Sequence, residues 1–126
     1  MAKATPDAVL DVMLTDIATS TILHVCSAQP ANYAGIAAVS LADIVLTPGD
    51  GNGDFAIANH TSGRKLTVSQ QAAIDIDASG TATHIALAIG GATDVLKQVT
   101  TCTSQALVDT GTVTVPAYII SVADPS

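Results

Sequence analysis

Asp50, Asn52 and Asp54 stand at alternate positions, which is the spacing of the first three oxygen ligands in an EF-hand calcium loop. The match then stops. Phe55 occupies the place of the turn-forming glycine, and Thr61 falls where a bidentate glutamate is needed. Segment 48–54 therefore reads as a Gly-rich hairpin loop whose Asp and Asn side chains cap their own backbone. His24 and Cys26 lie two apart on a strand-like run and would share one face, while His84 and Cys102 offer a second pair from other strands. Zinc needs four such groups converging, usually from tight Cys-x-x-Cys or His-x-x-x-His spacing, and that spacing is missing. The histidines are expected to be hydrogen-bonded within or beside a sheet. No Gly-x-Ser-x-Gly elbow marks a nucleophile, and Gly90-Gly91 reads as a hairpin turn rather than a phosphate cradle. The predicted protein has no enzymatic activity, no metal and no cofactor.

Charge narrows the partners. All acidic side chains are Asp, and they outnumber the cations Lys3, Arg64, Lys65 and Lys97 to leave a net charge of −7. Nucleic-acid affinity rests on a basic surface and counterion release, so nucleic acid is excluded as a partner class. Ser62-Gly63-Arg64-Lys65 is the one local positive cluster, and it reads either as a solvated turn or as a contact point in which Arg64 and Lys65 meet an acidic neighbour. No apolar run reaches the roughly 18–20 residues that cross a bilayer, and the start carries no signal-peptide pattern. The expectation is synthesis in the cytoplasm, no Sec export and no membrane partner.

These groups must be positioned by a mainly β fold. The 126 residues have room for a single domain, 1–126. Aromatics are only 2% of the chain, so the core must come from Val, Ile, Leu and Ala, and Asp in place of Glu favours turns over helix interiors. Thr5, Pro6 and Asp7 form a helix-start signal for one N-terminal helix over about 6–18. Val9, Met13 and Ile17 recur at i, i+4 and i+8 beside Leu10 and Leu14, and are read as its packing face, set against the sheet or a neighbouring subunit.

From Thr21 the period changes to two. Strands are predicted at 21–27, 43–47, 55–58, 65–68, 73–77, 81–89, 95–100, 105–108, 112–115 and 118–122, with 36–46 ambiguous between helix and strand. Turns every 8–12 residues suit an antiparallel β-sandwich or a barrel-like domain. Cys26 and Cys102 read as buried reduced thiols, with a disulfide formed after release into an oxidising medium as the alternative.

The second half carries a resemblance. The run 62–68 (Ser62-Gly63-Arg64-Lys65-Leu66-Thr67-Val68), then 80–87, 100–107 and the close from Val115-Pro116-Ala117-Tyr118 to Pro125, resembles a family of small tailed-bacteriophage virion structural proteins. Val25-Cys26-Ser27-Ala28-Gln29-Pro30 followed by Tyr33 is similar too. Tyr118 stands where members of that family commonly have Trp, and the residues around 36–42 depart from it. The resemblance implies a virion component: a capsid decoration protein that stabilises the head, or a tail-associated fibre, tip or adaptor protein for host attachment. The implied partners are the major capsid protein or other virion proteins. Independently, small side chains bury little area each, so self-association into a homo-oligomer is expected, with a trimer favoured by the threefold axes of capsids and fibres.

Overall fold

The computed structural model describes residues 6–61, 63–90 and 95–122. Helix α1 (Asp7–Ile17) leads into strand β1 (Ile22–Cys26), helix α2 (Tyr33–Val39) and strand β2 (Ser40–Val45). Seven strands follow: β3 (Phe55–Asn59), β4 (Arg64–Val68), β5 (Gln71–Asp75), β6 (Gly80–Ile89), β7 (Val95–Leu107), β8 (Thr112–Val115) and β9 (Tyr118–Val122). All strand pairings are antiparallel, in sheets ordered β2-β1-β6-β7, β3-β4-β9 and β5-β8. The result is sandwich-like and not a closed barrel. The β5-β8 ribbon is tied to the edge of β2 by an Ala42–Ile76 bridge and by the Asp77 amide, which donates to the Leu41 carbonyl at 2.8 Å.

Alternation explains which side chains enter the core. Leu23 and Val25 of β1 and Ile85 and Leu87 of β6 face Phe55, Leu66 and Val68 of the second sheet, with Ile74, Val113 and Val115 from the ribbon. The intervening His24, Cys26, His84, Ala86 and Ala88 fall on the opposite face of the first sheet, where α2 packs against β1 and buries Ile36. This second helix resolves the ambiguous 36–46 segment. Asn32 caps it by accepting from the Gly35 amide at 2.9 Å, and the Ala-rich turn then gives way to β2 at Ser40. The predicted strands 95–100 and 105–108 are one strand, because β7 carries its extra residues as bulges against β6: Leu87 faces Gln98 but Ala88 faces Leu96, and His84 faces Thr101 but Ala82 faces Gln105. The expected turn at Gly90-Gly91 reaches into residues 91–94, outside the described residues.

Helix α1 forms where expected, with Pro6 at its N-cap and no side-chain cap hydrogen bond; the expected cap, Thr5, lies outside the described residues. Of the two packings expected for the Val9–Met13–Ile17 stripe, the one against the sheet needs a correction. Leu10, Leu14 and Ile17 are the buried residues, whereas Val9 and Met13 are 59% and 49% exposed. Both sets have helical spacing, but they are rotated by about one residue, or roughly 100°. The rotation is held by two charge pairs that periodicity does not register: Arg64 of β4 grips Asp11 (Nε–Oδ1 2.8 Å, Nη2–Oδ2 3.2 Å), and Lys97 of β7 reaches Asp16 at 3.0 Å. The helix thereby spans from the second sheet to the far edge of the first.

Candidate protein-interaction surface

Turning Leu10 and Leu14 inward leaves Val9, Val12, Met13 and Asp16 on the outward face, at i, i+3, i+4 and i+7. Val12 is 68% exposed, the most open of the three apolar side chains. Of the expected contact residues, the structure brings Val9 and Met13 together here with Val12, which the sequence reading missed. The signal for Val12 was available, since it completes the same stripe. Ile17 lies in the core and offers a neighbour no surface. Arg64 is turned to its own chain: besides Asp11, its Nη1 donates to Asn59 Oδ1 at 2.6 Å and lies 3.9 Å from Asp7. Its hydrogen bond to Asp11 holds the guanidinium above its ordinary pKa, against a smaller opposing effect of burial. Lys65 is half-buried on β4 and shares no surface with the α1 stripe.

The other chemistry-bearing residues are engaged in the fold. In the 48–54 loop, Asp50 Oδ1 accepts from the Ile57 amide at 2.8 Å and Asn52 donates to the Pro48 carbonyl at 2.8 Å. Asp54 accepts from the Thr47 amide at 2.7 Å through Oδ2, and from Gln71 Nε2 at 3.0 Å and Ser69 Oγ at 3.2 Å through Oδ1. Burial pushes the Asp54 carboxyl up, but the hydrogen bonds from Thr47, Gln71 and Ser69 together hold it below its ordinary value. His24 Nδ1 is 2.9 Å from Ser40 Oγ and 4.0 Å from Asp43, with burial lowering its pKa against the pull of Asp43 and Asp77. His84 Nδ1 pairs with Thr83 Oγ1 at 2.8 Å. Among the described residues, no three His, Cys, Asp or Glu side chains are grouped to hold a metal.

No family model, curated protein or solved structure matches this chain.

Both cysteines are free. Cys26 faces His84 across the β1–β6 ladder and His84 faces Thr101, so β6 stands between the two thiols. Strands two apart are separated by roughly 9.5 Å, beyond the ~7 Å Cα limit for a disulfide. Burial raises the Cys26 thiol to about 11, and Cys102 is raised for the same reason, so both are weakly nucleophilic.

A cleft of about 420 Å³ opens between the outer half of β7 and the β8–β9 connection, with Val25, Ile85, Cys102, Val115 and Tyr118 on its walls. The Tyr118 hydroxyl is buried there with no hydrogen-bond partner among the described residues, and burial raises its pKa. An unpaired buried hydroxyl is a cost, so Tyr118→Phe is expected to raise stability by about 1 kcal/mol, measured as a higher midpoint in urea at unchanged slope.

Proposed function

We propose that this chain is a non-enzymatic structural protein of a tailed-bacteriophage virion, acting as a capsid decoration protein that stabilises the head. The observation that carries the reading is the outward face of α1. Three large apolar side chains, Val9, Val12 and Met13, lie together on a rigid helix held by the Arg64–Asp11 and Lys97–Asp16 pairs. An ordered apolar stripe of this kind fits a protein partner better than solvent. The partner proposed is the major capsid protein, presenting an apolar groove with basic residues at its rim, since the docking body carries a net charge of −7. A compact sandwich with no elongated shaft suits a cap on a lattice. The resemblance of segments 62–68, 80–87 and 100–107 to small virion proteins points the same way.

Copy number tests it. Quantitative mass spectrometry of purified virions is expected to find this chain in a fixed, near-stoichiometric ratio to the major capsid protein. A handful of copies, located at the tail by immunogold labelling, would replace the decoration role with a tail fibre, tip or adaptor role. Absence from washed particles would remove both.

A further inference from the structure

Among the described residues, β9 is the edge strand with neither a closing contact nor a feature that discourages pairing. The outer edge of β3 is closed by the preceding loop: the Gly51 amide donates to the Phe55 carbonyl at 2.8 Å, and the Ile57 amide donates to Asp50 Oδ1. The outer edge of β2 is taken at Leu41 and Ala42 by the Ile76 bridge and the Asp77 amide, and beyond them it carries the charged Asp43. Strand β7 breaks its register twice and carries Lys97, and β8 is only four residues long. Bulges, charges and shortness are the usual means by which an edge is kept from pairing. Strand β9 has none of them. Its five residues, Tyr118-Ile119-Ile120-Ser121-Val122, pair with β4 in unbroken register and include no charge and no proline. Among the described residues, no hydrogen bond reaches its outward backbone groups. Tyr118, Ile120 and Val122 pack against the core yet stay only partly buried, and among the described residues no strand lies beyond them.

We infer that a second copy of this chain adds its own β9 to this edge, antiparallel about a twofold axis at Ile120, giving a continuous sheet ordered β3-β4-β9-β9-β4-β3. The strand is complementary to itself in that register. Ile120 faces its counterpart, Tyr118 faces Val122, and Ile119 faces Ser121, so apolar side chains meet on the core side and no charges oppose. Electrostatics selects the same place: two bodies of net charge −7 approach most easily along an edge that bears no charge. Such a contact is isologous and closes at two copies, in place of the trimer expected from the sequence. It does not depend on the virion reading. Five residues form an interface below the roughly 1,200 Å² of stable complexes, so the dimer is a weak one, half-formed near about 100 μM.

Sedimentation equilibrium from about 10 to 500 μM provides the test. In the inferred register, position 119 of one copy faces position 121 of the other. Ile119→Lys combined with Ser121→Lys therefore sets like charges opposite each other twice, and is expected to weaken association at least tenfold. Ile119→Lys combined with Ser121→Asp sets opposite charges together and is expected to restore it to within about threefold of the natural chain. Both positions are exposed, and circular dichroism melts check that the fold is kept. On the unmodified chain, β9 amides should exchange more slowly as concentration rises. A natural chain that stays monomeric throughout, or two variants that associate equally, would overturn the inference. So would a dimer whose β9 amides show no concentration dependence, which would leave self-association standing but assign it to another surface.

Discussion

Leu14→Asp is expected to cost about 4–5 kcal/mol, while Met13→Asp one residue away stays within about 0.5 kcal/mol of the natural chain. Leu14 is fully buried in the core beneath α1, so a carboxylate there would be desolvated without a partner. Met13 is half-exposed, about 100° around the helix from Leu14. A domain of this size has roughly 5–15 kcal/mol of total stability, so the first change removes much of it. An isolated helix of this length is marginal in water, and α1 owes its order to that contact. Urea melts followed by circular dichroism would measure both. Under the proposed decoration role, the same Met13→Asp variant, folded but with a charge in the Val9–Val12–Met13 stripe, is expected to lose binding to the capsid. Equal melting of the two variants would mean that α1 presents a different face.

Asp54→Ala is expected to lower stability by about 2–3 kcal/mol, although the residue sits in a surface loop. Its carboxylate gathers the Thr47 amide, the Ser69 hydroxyl and the buried Gln71 amide, and so joins the 48–54 loop to the turn between β4 and β5. Truncation leaves Gln71 without its charged acceptor inside the molecule. The pH dependence separates this role from simple packing. The folded carboxyl titrates below its ordinary value of 3.8, so its contribution is present above that pH and is lost as pH falls through the folded value. His24 also titrates below its ordinary 6.5 when folded, so the unfolded chain takes up its proton first and stability begins to fall below that pH. Acid unfolding should therefore show an early loss that His24→Gln abolishes and a later one that Asp54→Asn abolishes. Stability that is flat from pH 7 to pH 3 would contradict both assignments.

The strand pattern was legible because alternation is a local property. Leu23 and Val25, or Ile85 and Leu87, announce a strand with an inward face wherever it pairs. The short helix α2 was harder to read, since an Ala-rich run satisfies either period and the Asn32 cap decides only once the chain leaves β1. The 48–54 loop was legible as a polar turn whose Asp and Asn side chains bond to nearby backbone, but it is not the hairpin the sequence suggested, because it carries the chain from β2 in the first sheet to β3 in the second. What it joins was not legible, as Ser69 and Gln71 lie 15 and 17 residues away from Asp54.

The amino-acid sequence by itself determined a mainly antiparallel β chain with an N-terminal helix and a strongly acidic surface, because periodicity, turn residues and charge act over a few neighbours. Only the tertiary structure decided which face of α1 turns inward. Two nearly equivalent stripes, Leu10–Leu14–Ile17 and Val9–Met13–Ile17, compete, and the choice is made by partners far along the chain. Arg64 lies 53 residues from Asp11 and Lys97 lies 81 residues from Asp16. That choice makes Arg64, which the sequence left as either part of a solvated turn or an outward contact, an internal anchor, and it exposes Val9, Val12 and Met13. The open edge at β9 is tertiary for the same reason: its residues read as a strand in isolation, but whether an edge is paired, capped or free depends on where the other strands end.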